Sequence, residues 1–446
     1  MNKLYQYISK DVHIAPLVVF RLVFGFVMFF SVLRFALKGW IYDQYIEPTF
    51  HFTYLGFSWV KPFGENGIYI VFALMALSFL CVALGLFYRL ASISAFVLFT
   101  YVELLDKANY LNHYYFVSLV CFLLILVPAH RYFSLDVYRK PTLKLTHVPM
   151  WSIGVFKLQL GIVYFFAGVA KLNYEWLINA NPLKIWLPAQ SHIPVIGSLL
   201  AKTWVAYFAS WFGAIYDLTV PFLLAIKKYR PIAYFFVIAF HVSTAALFQI
   251  GVFPFVMIGA TLIFFSEEFH LKVLDKLDRL FRFKSVEIGV ASPFQLKWKR
   301  TTTIFLVGFF VVQAMLPFRY MLYPGELFWN EEGYRFSWRV MLMEKAGYAS
   351  FRILDTENNR SWEAKNYEHL TPNQEKMMST QPDMILEYAH FLENQAKAQG
   401  VPNPEVFVDA FVSLNGKASK RFIDPEINLA KQQPSLKHKT WILPFE

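Results

Sequence analysis

Charged residues are scarce in this chain of 446 residues: they make up 16% of it, whereas hydrophobic residues make up 57%, and 48 residues are phenylalanine. Such a composition excludes a soluble globular protein of this length. Long apolar segments that contain few charges predict an integral membrane protein instead.

Several motifs of common enzyme classes are also absent. The sequence contains no H-E-x-x-H pair, no Walker loop and no G-x-S-x-G elbow, and no two histidines stand four residues apart within one apolar segment. Its only two cysteines, Cys81 and Cys121, lie within apolar segments, which favours core packing over a redox role. We therefore expect no metal centre.

Apolar segments long enough to be candidates for crossing about 30 Å of hydrocarbon fill most of the first 317 residues. They predict a membrane-embedded, all-α bundle of about nine transmembrane helices in domain 1–317. The segments are 15–38, 67–88, 89–105, 113–129, 150–171, 203–226, 231–248, 250–266 and 301–317.

The remaining residues, 318–446, are more polar and predict a small exoplasmic α+β domain. Thr371-Pro372 predicts the start of a helical stretch that breaks near Pro382 and stops at Gly400. Asn415-Gly416, between two apolar runs, predicts a β-hairpin.

Lysine and arginine residues between the segments predict the orientation. With a cytoplasmic N-terminus, the inner loops carry eighteen of these residues, eight of them between Lys272 and Arg300, and the outer loops carry six. The positive-inside rule therefore predicts a cytoplasmic N-terminus and an exoplasmic C-terminal domain, as for a protein of the bacterial inner membrane. Much of the net charge of +11 is then explained by the membrane surface, so no nucleic-acid partner is expected.

Ionisable residues inside the segments are informative because each requires a partner, a cavity or a function. Counted from the segment ends, Arg21, Lys157 and Asp217 fall at similar depth in the cytoplasmic half. Their charges are complementary. We expect a buried structural ion cluster between helices, with a catalytic role as the alternative.

A second group of polar residues falls in the exoplasmic half, and its members come from four segments. Singly, each has a simpler explanation: a lysine could extend its ammonium to the membrane surface, and a histidine could be a packed core residue. Together they predict a pocket in which a desolvated lysine amine acts as a base. The group consists of Glu103, Asn112, His113, Lys171 and His241.

The stretch "YFFAGVAKL" that ends at Leu172 resembles the A-G-V-K-K-L-D core of vitamin K-dependent gamma-glutamyl carboxylase, with the family's catalytic lysine at Lys171. Further similarities occur along about 300 residues, in the same order as in the family. The chain thus resembles a short bacterial-type homologue with the horizontally transferred transmembrane domain. These are "VFRLVFGFVM" (19–28), "GLFYR" (85–89), "LLDK" and "NHYY" (104–115), "HVPMW" (147–151), "DLT" (217–219), "FHVSTAALFQIGVFPFVM" (240–257) and "YRFSWRVM" (334–341).

This resemblance implies a quinol-dependent carboxylase of the carbon–carbon lyase type, with glutamate-containing proteins or peptides as substrates and membrane lipid around it. In that family, a lysine deprotonates a reduced vitamin K, which is phylloquinol or menaquinol. Reaction of the deprotonated quinol with O2 then makes a stronger base that removes a γ-proton from glutamate. CO2 then adds to give γ-carboxyglutamate, and the quinone leaves as an epoxide. The implied catalytic residues are Lys171, His113 and His241, and the implied cofactor-binding residues are Asn112, Thr244, Phe253 and Met257.

Three departures from the family pattern leave alternatives open. Ala170 replaces the first lysine of the core, Thr244 replaces an asparagine, and only about 130 residues follow the last segment, fewer than in animal members. One alternative is a quinol epoxidase without a peptide acceptor. The other is a transporter or sensor for a lipid or acid, in which Lys171 binds an anion.

Overall fold

The computed structural model describes residues 6, 8–281 and 299–445; Lys3 and residues 282–298 of the basic loop, which entered the charge count, lie outside them. The first part of the chain is helical. Its main helices are α1 (Ala15–Leu37), α2 (Gly64–Leu84), α3 (Tyr88–Leu105), α4 (Asn112–Leu126), α5 (Trp151–Ala170), α6 (Thr203–Ala225), α7 (Arg230–Leu247), α8 (Phe253–Thr261), α9 (Glu267–Phe281) and α10 (Lys299–Met315).

Seven helices in the described part are long and apolar enough to cross a membrane, or eight if the bent pair Phe253–Phe264 and Glu267–Leu280 is one span. Each of the nine predicted segments contains a helix. This count by length is slightly lower than the predicted number of about nine, because α4 has only 15 residues and α8 only nine, whereas a span requires about 20. The protein is a helical membrane protein, as predicted.

Shorter elements connect and cover the long helices. Strands β1 (Asp11–His13) and β2 (His147–Pro149) form a two-stranded antiparallel sheet. Short helices lie at Trp40–Tyr45, Leu135–Arg139, Tyr174–Leu177, Leu183–Ala189, Gly197–Leu200 and Leu327–Asn330.

The C-terminal region combines a four-stranded antiparallel sheet with two helices. The sheet contains β3 (Lys345–Asp355), β4 (Arg360–Glu363), β5 (Pro404–Leu414) and β6 (Lys420–Arg421) in the order β4-β3-β5-β6. Every second residue of β5 is buried, which is the pattern of a strand with one face on a core. The helices are α11 (Pro372–Met378) and α12 (Pro382–Ala398).

The local signals predicted in this region are confirmed. Thr371 caps α11 in a capping box with Gln374, and the helical stretch breaks before Pro382. Asn415 and Gly416 both have positive φ, at 52° and 73°, at the turn between β5 and β6. The predicted α+β fold of the C-terminal region is therefore confirmed.

The buried residues that the structure describes form two hydrophobic cores. One fills the helical bundle, and the other lies under the sheet of the C-terminal region. The second core also includes Ala170, Trp176 and Ala214, which lie in the helical part. The C-terminal end of α5 thus lies where the two cores meet.

Candidate active site

Lys171 is the first residue after α5, and its side chain is buried against α6. Its Nζ donates to Asp217 Oδ2 at 2.6 Å and to the carbonyl oxygen of Ala167 at 3.2 Å. Lys171 is 6% exposed and Asp217 is 4% exposed. The two residues form a buried ion pair.

A close approach of α5 and α6 at Gly168 brings the pair together. A Cβ placed at Gly168 would lie 2.8 Å from the backbone nitrogen of Leu218, the residue after Asp217. Only glycine allows the two backbones to approach this closely. Gly168 therefore allows Lys171, three residues later, to approach Asp217.

The segment after Lys171 folds back over the ion pair. The Lys171 ammonium lies 5.3 Å from the centre of the Trp176 ring. Trp176 Nε1 donates to the carbonyl oxygen of Ser210 on α6 at 2.8 Å, and the Ser210 hydroxyl donates to the carbonyl oxygen of Trp176. These contacts place an aromatic wall beside Lys171 and shield it from water.

The Lys171 ammonium has hydrogen-bonding capacity left. An ammonium carries three N–H donors, and two of them are used, by Asp217 and by Ala167. The third has no acceptor among the residues that the structure describes. This donor suits an oxygen atom of a ligand.

Two buried histidines lie in one row of aromatic contacts. The Phe253 ring is stacked on His113 at 5.3 Å between ring centres and meets His241 edge-on at 5.6 Å. His241 Nε2 is 3.0 Å from the hydroxyl of Tyr164. His113 Nε2 and His241 Nδ1 are buried without a hydrogen-bond partner in the described part of the chain. The row thus combines apolar ring faces with two nitrogens that can bind a polar group.

Tyr164 extends the histidine row through its hydrogen bond with His241, and the sequence predictions gave Tyr164 no role. It lies on α5, seven residues before Lys171, which directly follows that helix with helical backbone angles, so both side chains project from the same side of α5. This spacing is visible in "YFFAGVAK" and is the signal that could have identified Tyr164.

The other residues predicted to bind a cofactor are Asn112, Thr244 and Met257, and the polar groups of the first two donate to backbone carbonyl oxygens. Asn112 donates from Nδ2 to the carbonyl oxygen of Arg339 at 2.9 Å, so it links α4 to the segment 334–341. The Thr244 hydroxyl donates to the carbonyl oxygen of His241 one turn earlier. Met257 is buried one turn after Phe253 on α8. Glu103 was predicted to share a pocket with Asn112, His113, Lys171 and His241. No hydrogen bond or ion pair in the described part links Glu103 to any of them.

The ion cluster predicted for Arg21, Lys157 and Asp217 does not form. Asp217 pairs with Lys171, and Arg21 donates to the carbonyl oxygens of Ala129 at 3.3 Å and Phe133 at 2.7 Å. The Lys157 ammonium lies 5.8 Å from the Phe264 ring centre. The predicted cluster is wrong because the ends of α5 and α6 do not lie at the same level.

The beginning of α6 extends beyond the end of α5. Its residues up to Ser210 pack against the segment that follows α5, so the middle of α6, which contains Asp217, lies level with the end of α5. Equal counts from the two helix ends therefore correspond to different depths.

A separate cavity of about 330 Å³ lies beside the end of α5. The α5 residues that line it, Phe166, Val169 and Ala170, lie on the face opposite to Tyr164 and Lys171 by the helical period. The cavity is therefore distinct from the Lys171 site. No group of three His, Cys, Asp or Glu residues that could hold a metal occurs among the described residues.

Comparisons with protein families cover nearly the whole chain. Residues 9–269 match the model of the HTTM domain. Residues 298–446 match the model of the lumenal domain of vitamin K-dependent gamma-carboxylase. No solved structure matches the chain. Because the HTTM domain alone accounts for more than half of the residues and the lumenal domain for most of the rest, the chain belongs to the vitamin K-dependent gamma-carboxylase family.

Proposed function

We propose that this protein is a quinol-dependent gamma-glutamyl carboxylase in which Lys171 is the base. The observation that carries the proposal is the buried Lys171–Asp217 pair, whose ammonium keeps one N–H donor for a ligand. Lys171 is buried beside Trp176 at the end of a membrane helix. In this position its amine can exchange a proton with a bound hydroxyl group and is shielded from water.

The residues present suit a reduced naphthoquinone. Phe253 offers a flat apolar ring face, and His113 Nε2 and His241 Nδ1 are buried polar atoms with free hydrogen-bonding capacity in the described part. A bound naphthoquinol would supply, with O2, the oxidative chemistry that the family couples to CO2 addition at glutamate. His113 and His241 would bind its oxygen atoms, and Tyr164 would hold His241 in one ring orientation through the hydrogen bond at 3.0 Å.

The active site faces the exoplasmic side in this proposal. Lys171 precedes the segment that packs with the lumenal-type domain, since Ala170 and Trp176 belong to the core of that region. We propose that residues 1–317 are the catalytic membrane domain, that 318–446 are the exoplasmic domain, and that the N-terminus is cytoplasmic. Ser419→Cys should react with an impermeant thiol reagent added from outside, and Lys276→Cys should not; the reverse pattern would contradict this orientation.

The function is tested by incubating membranes that contain the protein with reduced naphthoquinone, bicarbonate and a glutamyl peptide. Mass spectrometry should detect the quinone epoxide and a peptide carrying an added carboxyl group, and membranes with Lys171→Ala should form neither. Epoxide without carboxylated peptide would restrict the activity to an epoxidase. Wild-type membranes that form no epoxide would reject the proposal.

A further inference from the structure

The ion pair between Lys171 and Asp217 at first conflicts with a role of Lys171 as a catalytic base. A base must be free of its proton before it reacts, but a carboxylate at 2.6 Å stabilises the protonated ammonium. No other acidic side chain forms an ion pair with Lys171 in the described part of the chain. The two helices also carry the phenols of Tyr164 and Tyr216, whose rings meet edge-on at 5.9 Å between ring centres.

We propose that Asp217 is the positioning residue and proton acceptor through which Lys171 becomes a base, an inference that rests on the proposed function. The proton on Nζ passes to Asp217 Oδ2, so that one N–H bond breaks and one O–H bond forms. The resulting neutral amine then takes the proton of an acidic hydroxyl on the ligand. Lys171 is again an ammonium, Asp217 is a neutral acid, and the deprotonated ligand oxygen replaces Asp217 as the counter-ion.

Charge balance in a buried site favours this order of events. The pair is neutral overall before the first transfer and after it, and the site with its ligand stays neutral after the second. An ammonium or a carboxylate without a counter-ion would be costly in such surroundings. Asp217 therefore lets Lys171 change its partner while the site never carries an uncompensated charge.

The geometry supports a proton transfer across this contact. The distance of 2.6 Å between Nζ and Oδ2 is short for a hydrogen bond from nitrogen to oxygen. Both side chains are held in place, Lys171 by its second bond to the Ala167 carbonyl oxygen and Asp217 by the close packing of Leu218 on Gly168. The third N–H of Lys171 is the one available to the ligand.

The first test measures the reactivity of Lys171 without any quinone. Full-length protein in nanodiscs is reductively methylated at pH 7, and mass spectrometry of peptides gives the rate at each lysine. Asp217→Asn should accelerate methylation of Lys171 by about 10- to 1,000-fold, because an opposite charge in contact changes proton affinity by that factor. Asp217→Glu should stay close to the wild-type rate.

Buried Lys345 is the internal control for folding, because its methylation should stay slow in every variant. Equal rates at Lys171 in wild type and Asp217→Asn, with Lys345 still protected, would show that Asp217 only fills space and would overturn the inference.

The second test uses the wild-type protein and remains available if the Asp217 variants do not fold. Infrared difference spectra are recorded on adding 2-naphthol, a weak acid that shares the naphthol hydroxyl but lacks the second hydroxyl of a quinol. A new band of a protonated carboxyl group should appear together with the absorbance of bound naphtholate. Naphtholate absorbance without a carboxyl band, or binding of neutral naphthol only, would overturn the inference.

The two proposals can fail separately. If wild-type membranes form no epoxide but the methylation and infrared results are as expected, the proposed function fails and Asp217 remains the exchangeable counter-ion of Lys171. If epoxide forms but no carboxyl band appears, the function stands and the role of Asp217 is rejected.

Discussion

Two buried lysines, one in the membrane region and one in the C-terminal region, differ in how completely they are bound. Lys345 donates to Glu331 Oε1 at 2.8 Å and to the carbonyl oxygens of Trp329 at 2.8 Å and Thr380 at 2.7 Å. All three of its N–H donors are used. Lys171 has a carboxylate partner as well, but among the described residues it has only one carbonyl acceptor besides it.

This difference separates a structural lysine from a candidate catalytic one better than burial does. Burial lowers the pKa of Lys345, and the negative charge of Glu331 opposes this effect. Lys345 ties the start of β3 to the segments that contain Trp329 and Thr380, which is a folding role. The Lys171 side chain is also buried, at 7% exposed against 4% for Lys345, but one of its donors has no acceptor in the described part of the chain.

Replacing each lysine with arginine should give the largest difference between the two sites. Lys171→Arg should reduce quinol epoxidation by about 10²- to 10⁴-fold, the usual contribution of a positioned base, because a guanidinium stays protonated. Lys345→Arg should keep the epoxidation rate of the folded protein. The measurement is the epoxide formed per mole of purified protein.

A small primary amine tests whether Lys171 acts as a proton acceptor. It should restore part of the epoxidation of Lys171→Ala, since only the proton acceptor is missing there. His113→Ala and His241→Ala should not respond to the amine. Near wild-type epoxidation by Lys171→Arg would contradict the base assignment and favour a fixed positive charge that binds an anion.

Neutralising the partner of the structural lysine should affect stability and leave the chemistry unchanged. Glu331→Gln leaves the ammonium of Lys345 buried without a counter-ion, which costs roughly 3–5 kcal/mol; the two side chains are only 4% and 10% exposed. The free energy of unfolding in denaturant, measured on detergent-solubilised protein, should fall accordingly. An unchanged unfolding curve would show that Lys345 does not require Glu331.

A methyl group at Gly168 tests the packing that aligns Lys171 with Asp217. Gly168→Ala should cost about 1–3 kcal/mol through overpacking, because the new Cβ would meet Leu218. Epoxidation by the folded fraction should also fall, since the pair loses its alignment. Gly154→Ala on the same helix is the control, as nothing lies within 4 Å of its Cβ; equal effects of the two substitutions would exclude a special role for Gly168.

The sequence alone predicted more of the fold than of the site. Apolar runs predicted the helices, and the residues Thr371 and Asn415-Gly416 predicted local structure in the C-terminal region, because caps and turns depend on a few adjacent residues. The partner of Lys171 could not be predicted, because it depends on how far α6 extends past the end of α5. That offset is set by packing between distant segments, at Gly168 and Trp176.

Two carboxyl groups near the junction of the membrane region and the C-terminal region, Asp106 and Asp383, should have the smallest effect on stability. Their effect can be tested by varying the pH. Asp106, directly after α3, accepts from the backbone N–H of Ala108 at 2.8 Å and from Gln374 Nε2 at 2.6 Å. Burial raises its pKa to about 7, although these hydrogen bonds oppose the rise. Asp383 behaves oppositely: despite burial, Arg335 and Lys107 hold the pKa of that carboxyl well below its usual range.

These opposite shifts give opposite pH dependences. The pKa of Asp106 is about 4 when unfolded and about 7 when folded, so its contribution to stability is complete below pH 4 and is lost as the pH rises through 7. The contribution of Asp383 is present above about pH 4 and is lost in acid. Asp106→Asn should therefore unfold at a higher temperature relative to wild type at pH 8 than at pH 5, because the amide never ionises. Thermal unfolding of both proteins across this range checks the prediction, and a difference that stays constant with pH would show that Asp106 does not titrate there.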